Sequence, residues 1–279
     1  MKNETNVLPP FDREEADAPA RSEIQEYLTA RQQRRWIFPR AALVGLCAGI
    51  TALLFRAALT GADALRNQLI AWAQGLPALG WLFPMLLASL GAAISVGMTR
   101  RYAPEASGSG IPHLEAVLHR FRTLDWKRLL PVKFLGGVVA IGSGLALGRE
   151  GPTVQMGGAV ADAVSRAMKV TERERLTLTS AGAGAGLAAA FNAPLSGLIF
   201  VLEEVRRDFQ PIVFGAAFVA AVVADIVARV GSGQFPIFAV PSYPVPPLAA
   251  LPIFALLGIS AGLLGVVFNR SLLAVTALY

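Results

Sequence analysis

Four polar side chains sit at, or one short helix beyond, sharp bends in an apolar chain. Ser109 lies in Gly108-Ser109-Gly110-Ile111-Pro112, Glu150 in Gly148-Arg149-Glu150-Gly151-Pro152, and Glu203-Glu204 follows a third break at Phe191-Asn192-Ala193-Pro194. Each break ends in a proline that suits the first turn of a new helix, and in the first two glycine lets the chain bend just before it. Such helix starts present free N–H groups and the positive end of a dipole, a combination that favours an anion. The Ser109 hydroxyl adds a directed donor. A carboxylate at a helix start, as at Glu150, competes with an external anion for the same positive site, and burial raises its pKa while those amides lower it, leaving a group able to titrate near physiological pH. The predicted chemistry is anion binding beside a titratable carboxyl, which points toward anion transport. The bland readings are an ordinary capping serine for Ser109 and a helix N-terminal carboxylate for Glu150.

The elements that position these residues read as membrane helices. The chain is 54% hydrophobic and 16% charged, with 27 Gly and 18 Pro in 279 residues and a mean hydropathy of +0.53. Apolar runs approaching the ~20 residues that span a bilayer cover 41–55, 80–99, 129–147, 176–202, 211–230 and 248–268. Irregular backbone at membrane depth is tolerated only where protein buries it or water reaches it, so breaks inside such runs mark a site. Gly45-x-x-x-Gly49 and the Gly182, Gly184, Gly186 cluster predict close helix packing. The helices expected between the breaks are 111–122, 124–144, 151–168, 172–190 and 195–204, with a surface helix over 22–35 opened by Ser22 and Gln25 in capping-box spacing.

The formal charge of +6 is not gathered on a folded basic face with interleaved aromatics, which argues against nucleic acid. Arg21, Arg31, Arg34, Arg35 and Arg40 precede the first apolar run and Arg100 and Arg101 follow the second, whereas the stretch between, about 57–79, is expected as a loop with Arg66 as its one basic residue. The positive-inside rule then places the N-terminus in the cytoplasm. No charged n-region followed by an h-region and cleavage site opens the chain. Cys47 reads as a small core residue. His113 and His119 lack partners at metal spacing, so neither a metal nor a cofactor is expected. Asp225 and Arg229, four apart, are expected to pair on one helix.

In order and spacing, Gly-Ser-Gly-Ile-Pro at 108–112, Gly-Arg-Glu-Gly-Pro-Thr-Val-Gln at 148–155, Phe-Asn-Ala-Pro-Leu-Ser-Gly at 191–197 and Leu-Glu-Glu at 202–204 resemble the CLC chloride channels and chloride/proton antiporters of bacterial type. The resemblance runs from about residue 36 to the end. It implies an all-α integral membrane fold of broken and tilted helices, the first of two inverted-topology repeats. The implied layout is a cytoplasmic tail over 1–36, the first repeat over 37–246, and the first helix of a shortened second repeat over 247–279. The family's later Gly-x-Phe-x-Pro loop and anion-contacting tyrosine have no counterpart here, so the chain looks like a truncated member.

Residue by residue, the resemblance implies a chloride site at Ser109, Gly110, Ile111, Glu150 and Gly151, with Glu150 as the gating glutamate. It matches Glu204, rather than Glu203, to the internal proton-transfer glutamate of the antiporters; the alternative is a solvated helix end paired with Arg206 and Arg207. Lys133 and Arg149 supply positive potential along the path, although Lys133 is also read as snorkelling or pairing with Glu115. The implied function is chloride transport, most naturally chloride/proton antiport by a full-length homodimer in the lipid bilayer of a bacterial inner membrane. A passive channel and an inactive fragment are the alternatives. An intramembrane serine hydrolase is disfavoured because Ser107 and Ser109 have no base except His113 and His119 on the helix leading away; enzyme chemistry is not expected.

Overall fold

The computed structural model describes residues 13–75, 80–207, 209–233 and 245–277, with side chains from residue 35 onward. Among them every regular element is helical: α1 Arg13–Gln74, α2 Leu82–Tyr102, a 3₁₀ turn Pro104–Ala106, α3 Ile111–Leu118, α4 Trp126–Gly142, α5 Glu150–Ala167, α6 Glu172–Phe191, α7 Pro194–Phe200 with a π-helical extension Val201–Arg206, α8 Pro211–Ser232, and α9 Leu251–Thr276 after a 3₁₀ turn at Leu248–Ala250. The chain divides into two compact units, one ending at Ile237 and holding α1 to α8, the other beginning at Phe238 and holding α9. Stretches 35–74, 82–102, 211–232 and 248–276 are long and apolar enough to cross a membrane. The chain is an integral membrane protein of all-α class.

Local chemistry explains most boundaries. Asp125 caps α4 by accepting from the Lys127 amide at 3.2 Å, and Thr171 caps α6 by accepting from the Glu174 amide at 3.4 Å. Asn192, left-handed at φ 53°, ends α6, a role suited to its short polar side chain. Left-handed Arg120, at φ 63°, follows the end of α3, which is therefore shorter than the expected 111–122.

The expected loop over 57–79 is instead largely helix, because α1 continues to Gln74. Its apolar part, 40 residues, rises about 60 Å at 1.5 Å per residue. That is twice the hydrocarbon thickness of ~30 Å, so the helix projects well past the apolar layer or crosses it steeply tilted. The surface helix expected over 22–35 is also part of α1, which starts at Arg13; Ser22 is inside that helix, and its side chain and that of Gln25 lie outside the described residues. The 129–147 and 176–202 runs are not single spans: α4 ends at Gly142, and Asn192 separates α6 from α7.

The first unit is built around α6, whose residues from Leu176 to Gly186 are all buried between α5, α1 and α8. Contact is at backbone distance. A Cβ placed on Gly157 would stand 2.2 Å from the Gly182 carbonyl oxygen, and one on Gly186 would stand 2.2 Å from that of Thr153. The Gly45-x-x-x-Gly49 expectation is met in the same way, since a Cβ on Gly45 would stand 2.4 Å from Ala220 O of α8. Without water between helices to expel, such close backbone approach is what holds membrane helices together. Charged clasps close the ends. Arg40 of α1 meets buried Glu174 of α6 at 2.5 Å, and Asp162, 1% exposed, takes Arg166 at 2.6 Å and also Arg175. The expected Asp225–Arg229 pair is formed at 2.7 Å, and Arg229 also donates to Asn192 O at 3.0 Å.

Candidate anion site

Between α2 and α3 the chain makes a tight loop whose bends need glycine: Gly108 has φ 64° and Gly110 φ 85°, left-handed values that cost other residues about 1–2 kcal/mol. Buried donors pull the loop's carbonyls inward. Lys133 of α4, 6% exposed, donates from Nζ to Ala106 O at 2.8 Å and Gly108 O at 2.7 Å, and so satisfies a buried ammonium without a carboxylate. In a trans peptide the N–H lies opposite the C=O, so the amides of Ser107 and Ser109 are turned the other way. The N–H groups of Gly108, Ser109 and Gly110 make no hydrogen bond among the described residues. The Ser109 hydroxyl accepts the Ile111 amide weakly, at 3.4 Å, which leaves its own proton free to donate.

The start of α5 meets this loop. Gly151 lies so close that a Cβ there would stand 2.7 Å from Ser109 O and 3.0 Å from Ser109 Cα. Ser109, Lys133, Glu150 and Gly151, with Ser107 and Gly108, line one cavity of about 740 Å³. The Glu150 side chain folds back on its own helix start, its Oε2 2.2 Å from where a Cβ of Gly148 would be. Its carboxyl makes no hydrogen bond or ion pair among the described residues. A carboxylate and a hydroxyl thus share one cavity with a loop whose carbonyls Lys133 holds and whose Gly108, Ser109 and Gly110 amides have no hydrogen bond among the described residues, an arrangement suited to holding an anion beside a carboxyl.

The other residues predicted from sequence lie elsewhere. Gly110 and Ile111 do not line this cavity; Gly110 is buried behind the loop and accepts the Leu114 amide at 3.0 Å. Arg149 points to the opposite side of α5, into a small cavity that it shares with Arg56 and Ser232, where Arg56 donates to the Ser232 hydroxyl at 3.0 Å. Glu203 and Glu204 are exposed on the π-helical turn, away from the cavity. Neither side chain pairs with an arginine among the described residues; Arg207 instead stands 3.9 Å from Glu115. Lys133, read as a possible partner of Glu115, binds the loop carbonyls instead. Sequence reasoning missed Gln155 and Arg56. Gln155 is completely buried and donates to Glu105 O at 2.9 Å; its signal was a polar residue on an otherwise small and apolar helix face. Arg56 was legible only as a lone cation late in an apolar run.

Residues 90–279 match the family described as voltage gated chloride channel. The H(+)/Cl(-) exchange transporter ClcA of Vibrio parahaemolyticus is 43% identical over 233 residues, covering 82% of this chain and 50% of the relative. The protein of the same name from Vibrio cholerae is 45% identical over 235 residues, covering 81% and 49%. A solved slow cyanobacterial Cl-/H+ antiporter superposes with a TM-score of 0.78 at 37% identity, covering 84% of this chain and 56% of that one. The chain spans about half the length of the relatives it matches. On the match over most of its length and on the shared fold, it belongs to the voltage-gated chloride channel (CLC) family.

Proposed function

We propose that this chain supplies the first half of the anion pathway of a chloride/proton antiporter. The observation that carries the reading is the joint lining of one cavity by Ser109, Glu150 and the Lys133-held loop. Chloride is held by the Ser109 hydroxyl and by amides at Gly108 and Ser109 and at the Glu150–Gly151 start, with Gly110 and Ile111 shaping the turn behind them. Glu150 is the gate: ionised, it competes for those donors; protonated, it withdraws and carries a proton. Glu204 takes protons on the cytoplasmic side from its exposed turn, with Glu203 beside it. Lys133 acts by orienting the loop, and Arg149 by adding positive potential behind the α5 start. Similarity to relatives named as H(+)/Cl(-) exchange transporters supports exchange over passive flow.

The layout that fits is a tail over 1–36, a first repeat over 37–246 and the opening helix of a second, inverted repeat over 247–279. The complete transporter would be a homodimer in the bacterial inner membrane, its N-terminus cytoplasmic, with chloride, protons and lipid as its partners and no enzymatic step. The test is Glu150→Gln in the complete transporter reconstituted in liposomes. A neutral side chain mimics the protonated gate, so chloride flux should persist while coupled proton movement is lost. Retained chloride pumping by a pH gradient overturns the gating assignment.

A further inference from the structure

One face of α5 carries the whole anion loop, and its central residue has no role in the reading above. Gly151, Gln155 and Gly158 are spaced i, i+4, i+7, the spacing of a single helix face. Gly151 abuts Ser109, Gln155 abuts Gly110, and Gly158 abuts Leu114 of α3: Cβ atoms placed on the three glycines would stand 2.7 Å from Ser109 O, 2.2 Å from the Gln155 amide and 2.7 Å from Leu114 Cδ1 respectively, Gly110 supplying the glycine at the middle contact. Between the two glycines of α5, Gln155 is the one side chain long enough to reach under the loop. It is 0% exposed. Its Nε2 donates to Glu105 O at 2.9 Å and lies 3.4 Å from His113 Nδ1, while its Oε1 has no hydrogen-bond partner. Leaving a buried amide oxygen unpaired is unfavourable, so packing alone does not explain a glutamine here.

We propose that Gln155 is the positioning residue of the chloride loop, holding Glu105 O from α5 as Lys133 holds Ala106 O and Gly108 O from α4. Three attachments within four residues, at 105, 106 and 108, then fix the loop's peptide planes. The direction in which the Ser109 amide and hydroxyl point follows from them. Loss of the Gln155 attachment frees the first plane and lets the Gly108–Gly110 bend drift, which weakens directed donation to a compact halide more than to a diffuse oxyanion. His113 Nδ1, facing the same Nε2 at 3.4 Å, accepts in the neutral tautomer whose proton is on its own Nε2 and so fixes the amide's orientation. The inference rests on the assignment of chloride to Ser109.

The experiment compares Gln155→Leu, Gln155→Glu and Ser109→Ala in the complete transporter in liposomes, reading the chloride/nitrate permeability ratio and the half-saturating chloride concentration as functions of pH. Gln155→Leu keeps the volume and removes the donor; the ratio should fall about fivefold, the scale of one neutral hydrogen bond, and half-saturation should rise while maximal flux is retained. Gln155→Glu should behave like Gln155→Leu when ionised and return toward wild type at low pH, where a protonated carboxyl again donates to Glu105 O. The titratable group against that position is His113, itself influenced by Glu105, Arg122 and Lys133, so Gln155→Glu is repeated with His113→Asn to separate the two titrations. A ratio unchanged in Gln155→Leu while Ser109→Ala lowers it overturns the proposal. A ratio unchanged in both removes Ser109 from the site instead. If Gln155→Leu fails to fold, the low-pH recovery of Gln155→Glu still decides, since its absence in folded protein refutes the donor role.

Discussion

Removing donors from Ser109 one at a time separates a chloride ligand from a helix cap. Ser109→Ala deletes the hydroxyl and keeps the amide; Ser109→Pro deletes both. In the structure the hydroxyl oxygen accepts only a long 3.4 Å contact from the Ile111 amide, so the local cost of losing it is small. The Ser109 amide makes no internal hydrogen bond, so it too is available to a ligand. A hydrogen bond to a charged partner contributes about 1.5–3 kcal/mol, and the openness of a 740 Å³ cavity argues for the lower end, about tenfold in affinity. Ser109→Ala is therefore expected to weaken chloride about tenfold. Ser109→Pro should weaken it further and lower the chloride/nitrate ratio more, because a proline also disfavours the left-handed conformation of the Gly108 before it. The assay is flux from liposomes under opposed chloride and nitrate gradients, with calorimetric chloride binding in detergent. If Ser109→Ala stays within twofold of wild type, the hydroxyl is a helix cap and the anion lies elsewhere.

Glu204→Val in the complete transporter should abolish proton coupling and leave chloride permeation intact, read by simultaneous pH and chloride electrodes; a change confined to expression or thermal stability would make the glutamate a structural helix end. Asp162→Asn should lower stability by about 1.5–3 kcal/mol, the scale of one hydrogen bond to a charged group, since Arg175 loses Asp162 but keeps Glu172 while Arg166 is half exposed and relaxes into water. Thermal unfolding in detergent checks it, and chloride selectivity should be unaffected because the clasp sits at the far end of α5 from Glu150.

What could be read from the residues, and what could not, divides along the range of the interactions involved. Breaks at 108–112, 148–152 and 191–194 are local events, set by Gly, Pro and Asn within a few residues, and the structure forms all three. Glycine spacing in α1 and α6 likewise announced close packing, because only a missing Cβ permits it. The stretch from Ala57 to Gln74 was misread as a loop because its mixed polarity hides helix formers such as Ala, Leu and Gln, and polarity says where a segment lies in the membrane before it says whether it is helical. The π-helical turn at 201–206 has no signature of composition at all; it places Glu203 and Glu204 outward while Val201 and Val205 stay buried.

Long-range partners were the least legible, and they decide the site. For Lys133 the sequence offered a place beneath the anion path, snorkelling, or pairing with Glu115. The chain instead satisfies the ammonium with two backbone carbonyls 25 and 27 residues away. That choice has a chemical consequence that a salt bridge would not have. Pairing with a carboxylate would cancel the charge, whereas bonding to carbonyl dipoles leaves the positive charge largely unneutralised and aims the loop's amides outward. In the proposed site Lys133 would act on an anion in two ways, through its field at short range in a low-dielectric setting and through the peptide planes it holds. In the proposed site Arg149 would add its charge at the α5 start, although its side chain lines a small cavity with Arg56. An anion site built in this way would be assembled chiefly from backbone, with charged side chains placed behind it.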